Sequence, residues 1–400
     1  MVKQKVEPAR ILVVDDSKVN RMLLTRELEQ QGHQVFSAEN GKQALKMLAE
    51  GGYDLILLDV EMPELDGYQT LDELKKDPNL RHLPVIMVTS IDDITSAIRC
   101  IELGAEDYLP KPFNPVLLQA RVDASLEKKH LHDLEQQYLK SLERELEIGR
   151  QIQAGFLPKE IPQPDGWQIE AYFQAAREVA GDFYDVFKMG RGTLGLLLGD
   201  VTDKGVGSAL YMALFRSLLR ATVMTEFLKG EEQSDECLNP EDCLLQAVTL
   251  TNNYICKVHD SAMYATLFFG ILDTNHGLLY FVNAGHNPPF LLRKNQIIRQ
   301  IMPTGPAVGM FEDSHFRIDS LMLEPGDSLV LYSDGIQDAQ NPSGELFGAE
   351  RLRNLLQQPA STPSGSFTAL LAEIHNYLDG TAQYDDITLL MVNRVESQET

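Results

Sequence analysis

The 400-residue sequence predicts two domains of different class: an α/β doubly wound domain, then an α+β domain with a largely antiparallel, layered sheet, joined by a long helical linker. Three observations predict this. Short apolar runs alternate with helical stretches over residues 11–109, the pattern of a parallel sheet with helical crossovers. Residues 114–153 read as helix without a clear break. After Trp167, runs of strands with a few segregated helices take over, as α+β domains do. The length agrees, since roughly two to three domains are expected of a chain this long.

In the first domain, strands are expected at 11–14, 34–38, 54–58, 84–88 and 107–109, with helices at 18–31, 40–50, 66–76 and 92–103. Gly104 ends the last of these helices. In the linker, Leu131, Leu134, Tyr138, Leu142 and Leu146 are spaced three, four, four and four apart. That is a coiled-coil-like stripe with a stutter, and it reads as a parallel dimer linker; a helix packed on its own domain gives the same period. Pro158, Pro162 and Pro164 then stop the helix. In the second domain, strands are expected at 168–176, 182–188, 193–201, 264–272, 278–283, 290–293, 328–333 and 387–392. Helices are expected at 208–227, 241–258, 350–356 and 367–378. These patterns divide the chain into 1–126, a linker 127–160 and 161–400.

Composition excludes several classes. Lys and Arg total 35 against 59 Asp and Glu, a net charge of −24 with no basic stripe, which argues against nucleic-acid binding and a membrane-surface role. No apolar run is long enough to span a bilayer and residues 1–10 lack a signal-peptide core, so a cytoplasmic protein is expected. Cys100, Cys237, Cys243 and Cys256 are scattered and form no CxxC pair, the pattern of ordinary free thiols.

Acidic residues concentrate at strand ends. Asp15 and Asp16 follow the first expected strand, Asp59 the third, Thr89 the fourth and Lys111 the fifth. In a parallel sheet these ends meet along one edge. Carboxylates brought together there need a cation, and an all-oxygen cluster suits Mg2+. A carboxylate can attack phosphorus to give an acyl phosphate, with Mg2+ and an ammonium holding the phosphoryl oxygens and a hydroxyl closing on the new group. Helix capping explains any one of these acids but not the set.

The second domain places its acids in glycine-flanked turns: Gly181-Asp182 with Asp185, Gly199-Asp200 with Asp203, Asp334-Gly335, and Asp385-Asp386. Local turn chemistry explains one such aspartate, not four beside apolar strands. Buried together, they would have to protonate unless cations balance them. Two divalent ions do so, and a water shared between such ions ionises near neutral pH and hydrolyses phosphate esters. No serine-nucleophile elbow or zinc-protease motif competes with this. His286, between Gly285 and Asn287-Pro288, reads as a turn residue satisfying backbone groups rather than as a ligand.

Taken together, Asp15-Asp16, Asp59 with Glu61, Met62 and Pro63, Asp66-Gly67, Val88-Thr89-Ser90 and Tyr108 to Pro112 resemble the CheY-like receiver family over 11–126. The resemblance implies a flavodoxin-like receiver domain with Asp59 as phosphoacceptor, Mg2+ held by Asp16, Asp59 and the Glu61 carbonyl, and Asp15 on a metal-bound water. Thr89 and Tyr108 would be switch residues and Lys111 the phosphoryl-binding cation. Ser90 departs from the commoner alanine. Over 145–394, the residues 148–153, Leu157-Pro158, the four aspartate motifs, Asn283 to Pro289 and Pro325 to Asp327 resemble the SpoIIE/RsbU branch of the PPM (protein phosphatase 2C-like) family.

This second resemblance implies a PPM-type β-sandwich phosphatase domain with two Mn2+ or Mg2+ ions. Asp200 would lie between both, Asp182 on one, Asp334 and Asp385 on the other, with the Val201 carbonyl as backbone ligand and Asp386 behind them. It implies a metal-dependent protein serine/threonine phosphatase acting on a phosphoprotein, a STAS-domain anti-sigma-factor antagonist. The receiver implies a sensor histidine kinase or phosphorelay donor, and the linker a homodimer. Ala180 stands where the family often has glycine, and Thr202-Asp203-Lys204-Gly205 replaces its commoner Ser-Gly-His-Gly. Arg177 is a weak candidate for the phosphate contact that eukaryotic relatives make through arginine. The competing class is a non-catalytic adaptor that binds a partner through a phosphatase-like domain.

Overall fold

A computed structural model describes residues 8–90, 94–232, 239–258, 263–358 and 363–396. The chain divides into two compact units, Met1–Leu142 and Glu143–Thr400.

The first unit alternates strand and helix throughout. Its elements are β1 (Arg10–Val14), α1 (Lys18–Gln30), β2 (Gln34–Ala38), α2 (Gly41–Ala49), β3 (Leu55–Asp59), α3 (Gly67–Lys76), β4 (Val85–Ser90), α4 (Ile94–Glu102), β5 (Asp107–Lys111) and the start of α5 (Pro115–Ala154). All strand pairs are parallel, in the order β2-β1-β3-β4-β5. Central β1 and β3 are apolar without alternation because both faces are covered. Ile11, Val13, Leu55 and Leu57 pack toward Leu24, Leu28, Leu118 and Val122 on one side. Leu12, Val14, Ile56 and Leu58 pack toward Leu48, Leu71 and Leu74 on the other. The chain reverses direction across the sheet between β1 and β3, so the crevice beyond their carboxyl ends lies at the switch point. The helix expected from Asp92 is described from Ile94; residues 91–93, like Cys237, lie outside the described residues.

The second unit holds the end of α5 and then β6 (Trp167–Gln174), β7 (Phe183–Gly190), β8 (Thr193–Val201), α6 (Val206–Glu232), α7 (Pro240–Val258), β9 (Ala265–Asp273), β10 (Leu278–Ala284), β11 (Phe290–Arg293), β12 (Gln296–Gln300), β13 (Asp319–Met322), β14 (Asp327–Tyr332), α8 (Gly335–Asp338), α9 (Gly348–Leu356), α10 (Pro363–Leu378) and β15 (Ile387–Arg394). They form two five-stranded antiparallel sheets, β13-β10-β9-β8-β7 and β12-β11-β14-β15-β6.

Side-chain alternation stacks these into four layers. On β8, Leu194, Leu196 and Leu198 join Leu329 and Leu331 of β14 and Leu390 and Val392 of β15 in a core between the sheets. Leu197 and Val201 point the other way, among Met212, Phe215 and Leu244 of α6 and α7. Val330, Tyr332, Leu389 and Met391 cover the outer face of the second sheet beneath α9 and α10. The inner strands are therefore buried on both faces, which is why they read as continuous apolar runs although antiparallel. β12 and β13, absent from the expected elements, are outer edges and mostly polar or exposed. Among the described residues, no helix is long and apolar enough to cross a membrane.

Candidate active sites

The first site lies at the carboxyl ends of β1, β3 and β5. Asp15 and Asp59 are buried and Asp16 is exposed. Lys111 Nζ bridges the two buried acids, 2.8 Å from Asp59 and 3.0 Å from Asp15. Asn20 and the Ser17 N–H donate to Asp15, and the Glu61 N–H donates to Asp59. Burial pushes the Asp59 carboxyl up to about 6, the Asp15 charge adds to this, and Lys111 opposes it. Carboxylate oxygens of Asp15, Asp16 and Asp59 fall within 4.8 Å of one another, a separation that one small cation spans. Thr89 is buried on β4, the strand beside β3 and β5. The Tyr108 ring is half-buried beneath the Arg121 guanidinium, 5.0 Å away. Gly67 must be glycine, because a Cβ there would lie 2.1 Å from the Asp59 carbonyl oxygen.

The second site collects acids from both sheets at one end of the sandwich. Asp182 precedes β7 and Asp200 sits near the end of β8, its antiparallel neighbour. Asp334 follows β14, and Asp385 and Asp386 precede its neighbour β15. Asp182 is buried and its carboxyl is pushed well up by burial and by the charges of Asp200 and Asp386. Asp200 is pushed up to about 7 by burial and by Asp334, Asp385 and Asp386, against a hydrogen bond with Asp182. Burial and Asp385 raise Asp334 too. Such a cluster holds far more negative than positive charge, with Lys204 reaching Asp385, and its residue types are hard oxygen donors that suit Mg2+ or Mn2+. Within the described residues its oxygens do not converge as tightly as those of the first site. The Val201 carbonyl points into the same loop, with Gly181 so close that a Cβ would lie 2.7 Å from its oxygen.

Asp386 has a distinct environment. Its carboxylate accepts from the N–H groups of Ala176 at 2.8 Å, Gly181 at 2.8 Å and Asp182 at 3.3 Å, tying the loop before β7 to the start of β15. Thr388 donates to Asp182 at 2.5 Å. Gln153, buried at the end of α5, donates to the Ala180 carbonyl at 2.6 Å and accepts from the Ala180 N–H at 2.9 Å. Sequence reasoning missed Thr388, Gln153 and the Asp185 ion pairs to Arg216 and Arg220; only Asp185's place in the first acid motif hinted at it. His286 is buried, and its Nδ1 shares a hydrogen bond with the Thr266 hydroxyl at 3.0 Å. Its side chain thus meets this hydroxyl and the Tyr332 backbone; the turn itself is closed by Asn283, whose side chain accepts from the His286 N–H. Burial lowers the imidazole to about 4. Arg177 is exposed.

A doubly wound domain with an acid pair and a lysine at its switch point, followed through one helix by an antiparallel sandwich with five acids at one end, defines a response regulator with a phosphatase-type output domain. The chain belongs to the SpoIIE family (Stage II sporulation protein E), whose model matches residues 190–395, and a response regulator receiver domain model matches residues 11–123. Protein IcfG from Synechocystis sp. is 44% identical over 268 residues, 62% of this chain and 41% of that protein. Response regulator PleD from Caulobacter vibrioides is 46% identical over 114 residues, 28% of this chain and 25% of that protein. The chain thus spans less than half of either relative. The SiaA-PP2C domain of Pseudomonas aeruginosa superimposes with a TM-score of 0.51 at 20% identity, covering 64% of this chain and 98% of that domain, a likeness of fold. Both kinds of domain generally use divalent metals.

Proposed function

We propose that the chain is a phosphorylation-regulated response regulator that hydrolyses phosphoserine or phosphothreonine on a partner protein, a STAS-domain anti-sigma-factor antagonist. The observation that carries this is the gathering of Asp182, Asp334, Asp385 and Asp386 around Asp200, with burial and mutual repulsion raising Asp182, Asp200 and Asp334. In this reading Asp182, Asp200, Asp334, Asp385 and the Val201 carbonyl hold two Mn2+ or Mg2+ ions. When bound, such a pair activates water and neutralises phosphate oxygens. Asp386 stays off the ions and fixes the loop before β7 through its three backbone N–H bonds.

At the first site, Asp59 Oδ attacks the phosphorus of a phosphodonor, a sensor histidine kinase or phosphorelay protein, and the bond to the donor's leaving atom breaks. Asp16, Asp59 and the Glu61 carbonyl would hold Mg2+ there, with Asp15 on a water bound to the ion. Lys111, already within 2.8 Å of Asp59, takes a phosphoryl oxygen, the Thr89 hydroxyl donates to another, and Tyr108 follows as the switch residue. We assign 1–126 to the receiver, 127–160 to the linker and 161–400 to the phosphatase. Leu131, Leu134, Tyr138 and Leu142 are exposed along α5, which supports pairing of the linker in a cytoplasmic homodimer. Gln153 offers the link from that helix to the acids, since Ala180, which it clamps, lies two residues before Asp182.

Hydrolysis of para-nitrophenyl phosphate by the full chain tests the reading. Turnover that requires Mn2+ or Mg2+ and disappears in Asp200→Ala is expected; no turnover would favour the adaptor, and metal-independent turnover would contradict the two-ion reading.

A further inference from the structure

The loop after β8 carries a cation to the acids. Lys204 Nζ lies 2.9 Å from Asp385 Oδ2 and 2.7 Å from the Tyr384 carbonyl oxygen, and 4.1 Å from the centroid of the Tyr384 ring. Three different attractions therefore seat one ammonium against the turn that begins β15. The backbone is shaped for it: Asp203 adopts a left-handed φ of 73° and Gly205 one of 97°, and the Lys204 N–H donates to the Asp203 side chain at 2.8 Å. Among the described residues, the ion pair that reaches the five acids comes from this lysine, and its charge also opposes the rise at Asp334.

We propose that Lys204 is a tethered counter-cation that occupies Asp385 in the metal-free protein and competes with the divalent ion for that carboxylate, so that it sets the metal concentration at which the second site fills. The inference rests on Asp385 being an ion ligand, as proposed above. A carboxylate oxygen holding an ammonium at 2.9 Å must release it before a divalent ion coordinates in the same direction. The ammonium is partly exposed, at 28%, so release moves it into water at modest cost. The tether makes the competition intramolecular, so it needs no bulk cation to bind, and salt weakens it only by screening the pair.

Direct Mn2+ titration of the full chain, read by the EPR signal of free Mn2+, tests this in wild type, Lys204→Gln, Lys204→Arg, Asp385→Asn and the double variant Lys204→Gln/Asp385→Asn. The receiver's ion is common to all and cancels. Lys204→Gln is expected to bind the weaker output ion about fivefold tighter, the scale of a partly exposed ion pair. Lys204→Arg should stay near wild type, and Lys204→Gln should have no effect once Asp385 is Asn. Equal or weaker Mn2+ binding by Lys204→Gln, or the same gain in the Asp385→Asn background, would overturn the inference alone. A wild-type chain that binds no more Mn2+ than Asp200→Asn would overturn the two-ion reading and the inference with it.

Discussion

The two acid sites differ in how their charge is balanced before any ion arrives. In the receiver, two buried carboxylates share one lysine that touches both, and the strands that carry them are neighbours in one sheet. At the output site, five carboxylates come from two sheets, and the lysine in contact reaches one of them at the rim. With Asp16 included, the first arrangement sets three carboxylates against one lysine, an excess that one divalent cation balances. The second is far from neutral and gains most from divalent metal. A nucleophilic carboxylate needs a free oxygen, which a modest cation load leaves it; a hydrolytic site built only of acids needs a heavy one.

Asp200→Asn, which removes the acid that feels all its neighbours, is expected to lower metal-dependent phosphatase turnover on the order of a thousandfold. Acetyl phosphate should label its Asp59 as in wild type. Loss of labelling in that variant would show that the two sites are not separate.

The second effect concerns stability. His286 is neutral in the folded unit because burial lowers it from 6.5 to about 4. The unfolded chain therefore binds the proton more readily in between. The folded state is unaffected above about pH 6.5 and loses stability as pH falls through the window from 6.5 to 4, by about 3 kcal/mol once pH is below the folded-state value. Urea melts of the output unit should show this slope in wild type and a shallower one in His286→Gln. Equal slopes would mean that the imidazole titrates normally.

Smaller still is Gln153→Ala. It strips two hydrogen bonds from the buried Ala180 backbone and should cost about 2 kcal/mol. Turnover is expected to fall about tenfold through a misplaced Asp182 loop, with Mn2+ affinity falling alongside. A stability loss with unchanged turnover would leave Gln153 as a packing residue.

What the sequence made legible follows the range of the interactions. β8 and β11 match the expected strands residue for residue, because two-sided burial writes an uninterrupted apolar run. The acids were legible because strand ends and flanking glycines mark them locally. β12 and β13 were not, since an edge strand such as Gln296–Gln300 needs no apolar pattern. Residues 148–153 stood out only through the family resemblance, and the contact Gln153 makes was not legible, because its partner Ala180 lies 27 residues away. Lys204 stood out only as a departure from the family's loop; its partner Asp385 lies across the site on another sheet. The role of His286 turned on a threonine 20 residues upstream that no turn pattern predicts.

In the proposed scheme, a phosphoryl group on Asp59 controls the removal of another at the acids around Asp200. Its direct test is the phosphatase rate of the full chain with Asp59 phosphorylated by acetyl phosphate, set against the Asp59→Asn chain under the same Mn2+. Rates that differ by about five- to a hundredfold are expected, the usual size of coupling between two sites. Equal rates would contradict it.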